Sequence, residues 1–107
     1  MGKYLIFWKA KARKQYLQHL IYAQQEFGNK AFYGWVDSVK EMERRLREYP
    51  KSYSILTPFK GKHQYRGHIV MKHFKIIYAI DEPRHRVHIV AIWDMRMDPK
   101  KLSSLLT

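Results

Sequence analysis

Residues 65–99 read YRGHIVMKHFKIIYAIDEPRHRVHIVAIWDMRMDP, and the period of this stretch decides the fold. Three runs, Tyr65 to Met71, Phe74 to Ile80 and Arg86 to Trp93, are rich in Ile, Val and aromatic residues, the composition of β-strands. Lys72-His73 joins the first pair tightly, and Asp81-Glu82-Pro83-Arg84 joins the second. Links this short leave no room for a crossover, so neighbouring strands must run antiparallel. Beyond the last strand, Asp98-Pro99 has the form of a helix start, a capping carboxylate followed by proline in the first turn. Leu102, Leu105 and Leu106 follow it.

Upstream the period changes from two to 3.6. Phe32, Trp35, Val36, Val39, Met42, Leu46 and Tyr49 step by three and four and make one apolar stripe. Glu41–Arg45, Glu43–Arg47 and Arg44–Glu48 stand at i,i+4 on the other faces, and Pro50 ends the helix. From Ala10 to Phe27 a second helical pattern places Tyr16, Leu17, Leu20, Ile21, Ala23 and Phe27 together. Gly28 suits the left-handed stop between the two, and Asn29 can cap the next helix. Lys3 to Trp8 reads as a short first strand, and residues 53–62, with Pro58 and Gly61, as irregular or a short extra strand. The order β-α-α-β-β-β-α predicts a single α+β domain over residues 1–107. Two amphipathic helices pack on one face of a mostly antiparallel, twisted sheet.

Charge narrows the partners. The chain has 21 Lys and Arg against 9 Asp and Glu, and no acid precedes Glu26 or falls between Lys51 and Ile80. That last interval holds Lys51, Lys60, Lys62, Arg66, Lys72 and Lys75, with His63, His68 and His73. Such an excess fits a polyanionic partner: nucleic acid, an anionic membrane or an acidic protein segment. A solvated basic surface is the plainer reading. With no cysteine there is neither a disulfide framework nor a cysteine-based zinc site, and the scattered histidines show no HxxxH pair with carboxylates. No metal and no cofactor are therefore expected. The apolar run from Tyr4 to Trp8 is far shorter than a secretory signal, and no stretch approaches the roughly 20 apolar residues of a membrane span. The expectation is a cytoplasmic protein without a membrane partner.

Particular residues add to the element order. They are the Phe27-Gly28 junction with Ala31, the helix closed by Leu46 and Tyr49-Pro50, and Tyr65-Arg66-Gly67 followed by Phe74-Lys75-Ile76-Ile77-Tyr78-Ala79-Ile80. Last comes the aliphatic strand from Val87, which ends in Trp93-Asp94-Met95-Arg96-Met97-Asp98-Pro99 and leads into a leucine helix. Over nearly its whole length the chain resembles the RelE/ParE toxins of bacterial type II toxin–antitoxin systems, also grouped as plasmid stabilisation proteins. The resemblance implies a growth-arresting toxin held inactive by a cognate antitoxin. RelE-like members cleave mRNA in the ribosomal A site, whereas ParE-like members poison DNA gyrase and are not known as nucleases. Fold does not choose between them; the site must.

Read by its pleat, the sheet is expected to turn Phe74, Ile76, Tyr78 and Ile80 toward the helices, together with Tyr65, Gly67, Ile69 and Met71. The open face then gathers Arg66, His68, Lys72 and Lys75, with Arg96 at the end of the last strand. For a RelE-like nuclease the resemblance implies catalytic roles for Arg66, His68, Lys75 and Arg96. His or Lys would move the 2′-hydroxyl proton, and Arg or Lys would offset charge building on the phosphate. Two departures favour the ParE-like reading: no Tyr or His follows Arg96, and Arg96-Met97-Asp98 is closer to those members. Val70, Ile77 and Ala79 between Arg66, Lys72 and Lys75 would make an antitoxin- or target-binding surface for an acidic segment. Plainer roles are open to each. Arg66 and Lys75 can be cross-strand surface charges, Arg96 can pair with Asp94, and Asp98 can cap a helix. His63 and His73 can be ordinary turn histidines, and Tyr78 and Trp93 core residues. A third reading is a small nucleic-acid-binding module with Tyr65, Phe74 and Trp93 as stacking platforms.

Overall fold

The computed structural model describes residues 3–56 and 64–106. The predicted order holds as β1 (Leu5–Trp8), α1 (Ala10–Phe27), α2 (Asn29–Glu48), β2 (Arg66–Val70), β3 (Phe74–Asp81), β4 (Arg86–Asp94) and α3 (Lys101–Leu106). The strands form one sheet in the order β1-β4-β3-β2. The β2–β3 and β3–β4 pairs are antiparallel, and β1 is parallel to β4. The sheet is therefore mixed, because the whole helical hairpin and β2–β3 intervene between β1 and its partner. Residues Pro58, Lys60, Gly61, Lys62 and His63 of the sequence reading lie outside the described residues. Just before them, residues 54–56 add a short antiparallel edge to β2. Ile55 bridges Arg66, and the Leu56 N–H donates to the Tyr65 carbonyl at 2.8 Å.

The helical hairpin turns at Gly28, whose φ of 83° is a backbone state that favours glycine. Its N–H donates to the Gln24 carbonyl at 3.1 Å and closes α1. Asn29 does not cap α2; its side-chain oxygen accepts from the Gln24 amide instead. On α2, Arg44 reaches back three residues to Glu41 rather than forward to Glu48.

The main core lies between the hairpin and one face of the sheet. Trp35, Val39, Met42 and Leu46 of α2 meet Val70, Ile76, Tyr78, Val87, Ile89 and Ile92. Full burial of each aliphatic side chain stabilises by roughly 1.5–3 kcal/mol. Tyr78 keeps its polar end satisfied by donating to the Pro50 carbonyl at 2.7 Å, and burial, its largest influence, pushes its pKa up to about 12. α1 contributes differently from its predicted stripe. Ala12 and Ala23 are buried, while Leu17, Ile21 and Phe27 stay exposed. The inward line runs through Ala12, Tyr16, Leu20 and Ala23, with Tyr16 and Leu20 half-buried, and its two alanines let the helix lie close.

A second, smaller core sits on the opposite face. Leu56, Tyr65, Ile77 and Trp93 are buried there, with Leu102, Leu105 and Leu106 of α3 packed over them. The hairpin between β2 and β3 sets which residues reach it. Val70 pairs with Phe74, so the loop is three residues long (Met71, Lys72 and His73), not two. Met71 and Lys72 take positive φ values of 49° and 67° to make it. One extra loop residue reverses the parity of the pairing and flips every β2 side chain relative to the expectation. Arg66, His68 and Val70 thus share the helix-side face with Tyr78, Ile76 and Phe74. Gly67 and Ile69 lie opposite with Ile77 and Lys75.

Candidate functional site

This parity redistributes the residues read as one open basic face. Arg66 extends on the helix side at the sheet edge, where its guanidinium donates to the carbonyls of Tyr53 at 2.8 Å and Lys51 at 3.2 Å. It ties the segment after α2 to β2. His68 stacks on Tyr53 with centroids 4.0 Å apart, and its pKa is lowered, first by burial and then by Arg45. Val70 is in the main core and Ile77 in the second, so neither is an exposed contact as expected. Ala79 is half-buried beside Ile77, and Lys72 is exposed in the turn.

Lys75 lies on the far side, opposite to Arg66 and His68. Its stem crosses Gly67 so closely that a Cβ there would stand 2.6 Å from the lysine Cδ. A side chain at 67 would have to push the lysine stem aside. Arg96 takes the plainer role weighed for it. Its Nε and Nη2 donate to the two Asp94 carboxylate oxygens at 3.0 and 2.9 Å, and its guanidinium sits 5.5 Å over Phe74. These hydrogen bonds hold the Asp94 carboxyl below its ordinary range and raise Arg96. The Asp98 carboxylate accepts from the Lys100 N–H at 3.0 Å, just ahead of α3.

The four residues assigned to RNA cleavage are therefore dispersed. A proton-transfer group and a phosphate-stabilising cation must reach one phosphate together, within hydrogen-bond distance of its oxygens. Arg66 and His68 face one side of the sheet and Lys75 the other, while Arg96 is engaged by Asp94 at the opposite end of the hairpin.

Two features escaped the sequence reading. His19 of α1 lies parallel to the Trp35 ring at 5.1 Å and against Phe74 at 4.6 Å. Burial lowers its pKa most, Asp94 opposes this and Arg96 adds to it. Nothing in a helix face links residue 19 to residues 94 and 96; only the packing of α1 on β4 does. The second is an open groove of about 880 Å³ on the far side, between α3 and the β3–β4 turn. Ala79, Val90, Leu105 and Leu106 line it with Lys9, Lys11, Arg84 and His88. Among the described residues no group of three or more His, Asp or Glu is placed to hold a metal ion, and no helix is long and apolar enough to cross a membrane.

A helical hairpin on one face of a four-stranded mixed sheet, with a short C-terminal helix on the other, is the RelE/ParE toxin fold, and the chain has it. A chain of the chromosomal ParDE toxin–antitoxin system from P. aeruginosa superposes with a TM-score of 0.66 at 15% identity, covering 86% of this chain and 96% of that one. A double mutant of the E. coli toxin RelE in the free state gives 0.63 at 10% identity, over 97% and 94%. The isolated E. coli RelE toxin gives 0.59 at 9% identity, over 95% of each chain. No protein-family model and no curated protein matches the sequence. At these identities the likeness is one of fold.

Proposed function

We propose that this chain is the toxin of a bacterial type II toxin–antitoxin pair, working in the cytoplasm without a cofactor, and that it arrests growth by poisoning DNA gyrase. The observation that carries the choice of target is the dispersal of Arg66, His68, Lys75 and Arg96. A ribosome-dependent nuclease needs them on one phosphate, whereas a poison that acts by docking does not. The toxin role itself rests on the fold shared with the ParDE and RelE proteins.

The antitoxin would supply an acidic amphipathic segment, since the chain carries a net charge of +12. With Val70 and Ile77 buried, its apolar half needs another seat. Leu17 and Ile21, one turn apart on the outside of α1, are exposed, and so are Tyr22 and Phe27, which touch edge to face at 6.2 Å. Lys14 and Lys30 are exposed nearby in the sequence of the same hairpin and fit an acidic flank. Inducing the chain alone in a bacterial host should stop growth, and co-expressing the neighbouring small gene should restore it. Purified gyrase incubated with the chain should accumulate cleaved DNA. Unimpaired growth with folded protein present contradicts the toxin role, and arrest without cleaved DNA contradicts the target.

A further inference from the structure

The parallel pairing of β1 with β4 leaves a surface that neither poison accounts for. Leu5, Phe7 and Lys9 alternate out of β1 on the far side, because Tyr4, Ile6 and Trp8 turn into the main core. Phe7 is 40% exposed and Leu5 60%. In the register of the pair, Leu5 stands beside Arg86 and Phe7 beside His88. The Phe7 and His88 rings stack at 5.7 Å, and the Arg86 guanidinium lies 5.0 Å from the Phe7 centroid. Arg86, Phe7 and His88 thus form a ladder of three planar groups on an open sheet, and the basic-rimmed groove continues from His88 toward α3.

We infer that this ladder is a binding platform for single-stranded nucleic acid, with bases extending the stack and phosphates lying between Lys9 and Arg86. Bases stack on aromatic rings and on guanidinium planes without regard to sequence, and cations along the same track hold the backbone. The acids nearby are already engaged. Asp81 accepts from Arg84 at 3.2 Å, and Glu82 accepts from the Tyr4 hydroxyl at 2.7 Å and lies 3.7 Å from Lys51. Lys9 and Arg86 form no ion pair among the described residues, so their charge is open to a phosphate. Burial lowers the pKa of His88 most and Lys9 adds to it; Asp81 opposes this, and Arg86 and Arg84 lower it further. A neutral imidazole presents one donor and one acceptor to a base edge.

An acidic helix fits this surface less well. It needs a continuous apolar stripe to bury its i, i+3, i+4 face. Along β1 the exposed apolar groups are Leu5 and Phe7, and His88 separates them from the apolar lining of the groove at Ala79, Val90, Leu105 and Leu106. The inference does not rest on the toxin reading, because the isolated chain is tested without gyrase, ribosome or antitoxin.

Fluorescence anisotropy with labelled 12-nucleotide oligothymidylate and oligouridylate at low salt is the experiment. The parent should bind both. Phe7→Ala should weaken binding roughly tenfold, the scale of one lost base–aromatic stack. Arg86→Gln should weaken it and reduce the slope of log K against log salt by about 0.7, one phosphate contact on a single strand. Both positions are exposed, so circular dichroism and thermal midpoints should match the parent. Lys40→Gln, at an exposed position of α2, should change little. No binding by the parent, parent-like binding by Phe7→Ala, or an equal loss in Lys40→Gln would overturn the platform. So would a polyglutamate peptide that displaces the oligonucleotide at matched charge, which would assign the surface to an acidic protein.

Discussion

The two faces of the sheet are both buried at their centres, yet they are covered by unlike structures. On one face an 18-residue and a 20-residue helix lie over Ile76, Tyr78 and Ile89. On the other, six residues of α3 and the Leu56 segment cover Ile77 and Trp93. The first cover announces itself in sequence by a long 3.6 period. The second shows as a helix start at Asp98-Pro99 and three leucines, which do not tell the face it covers. A strand buried on both faces reads as a continuous apolar run, and Phe74 to Ile80 is nearly one, interrupted by Lys75. The far side is therefore core at its middle and surface only at its margins.

The largest effect should come from Ile77→Asp. If the far side were an open docking surface, the variant would fold normally. Because Ile77 is fully buried, the change removes an aliphatic side chain and buries a carboxylate, costing at least about 4 kcal/mol. Urea denaturation should show most of the domain's stability gone, while Leu17→Asp, at an exposed position, should change it little.

Next, Ile21→Asp should weaken binding of the antitoxin by about 2–4 kcal/mol without lowering the thermal midpoint, since it adds a like charge to an acidic partner's apolar seat. Titration calorimetry that finds parent-like affinity would move the antitoxin off α1. A smaller effect is expected of Tyr78→Phe. It leaves the Pro50 carbonyl without its buried donor and should cost roughly 1–3 kcal/mol, read as a lower denaturation midpoint.

The smallest concerns pH. Burial and Arg45 lower the pKa of His68 in the folded chain. The unfolded chain therefore takes up the proton first, near the ordinary value of about 6.5. The stability is fully present above that value and declines as pH falls from there to the lowered folded pKa. His68→Phe keeps a ring on Tyr53 but cannot titrate, so its loss of stability between pH 7 and pH 5 should be smaller than the parent's. Equal losses in the two would show that His68 stays protonated-competent in the fold.

Much of the fold is legible in the residues themselves. Gly28, Pro50 and the stripe of α2 mark the hairpin, α1 runs from Ala10 to Phe27 as its spacing predicts, and the three C-terminal strands are where their composition puts them. The candidate site was legible in residue type but not in placement. Two against three residues in the Met71-Lys72-His73 loop is a matter of positive φ at Met71 and Lys72, which non-glycine residues do not advertise. That one residue sends Arg66 and His68 to the helix side. Likewise the parallel pairing of β1, which creates the Phe7 ladder, depends on a partner some 80 residues away, beyond any local pattern.

We propose that Arg66, His68, Lys75 and Arg96, spread over the sheet, do not make a nuclease centre and that growth arrest comes through gyrase. Primer extension on a translated message after brief induction, with gyrase-linked DNA measured in the same cells, separates the two poisons. Intact message, an induced DNA-damage response and cleaved DNA held by gyrase are expected. Clean cuts within codons, lost in Arg96→Ala or Lys75→Ala, would contradict it.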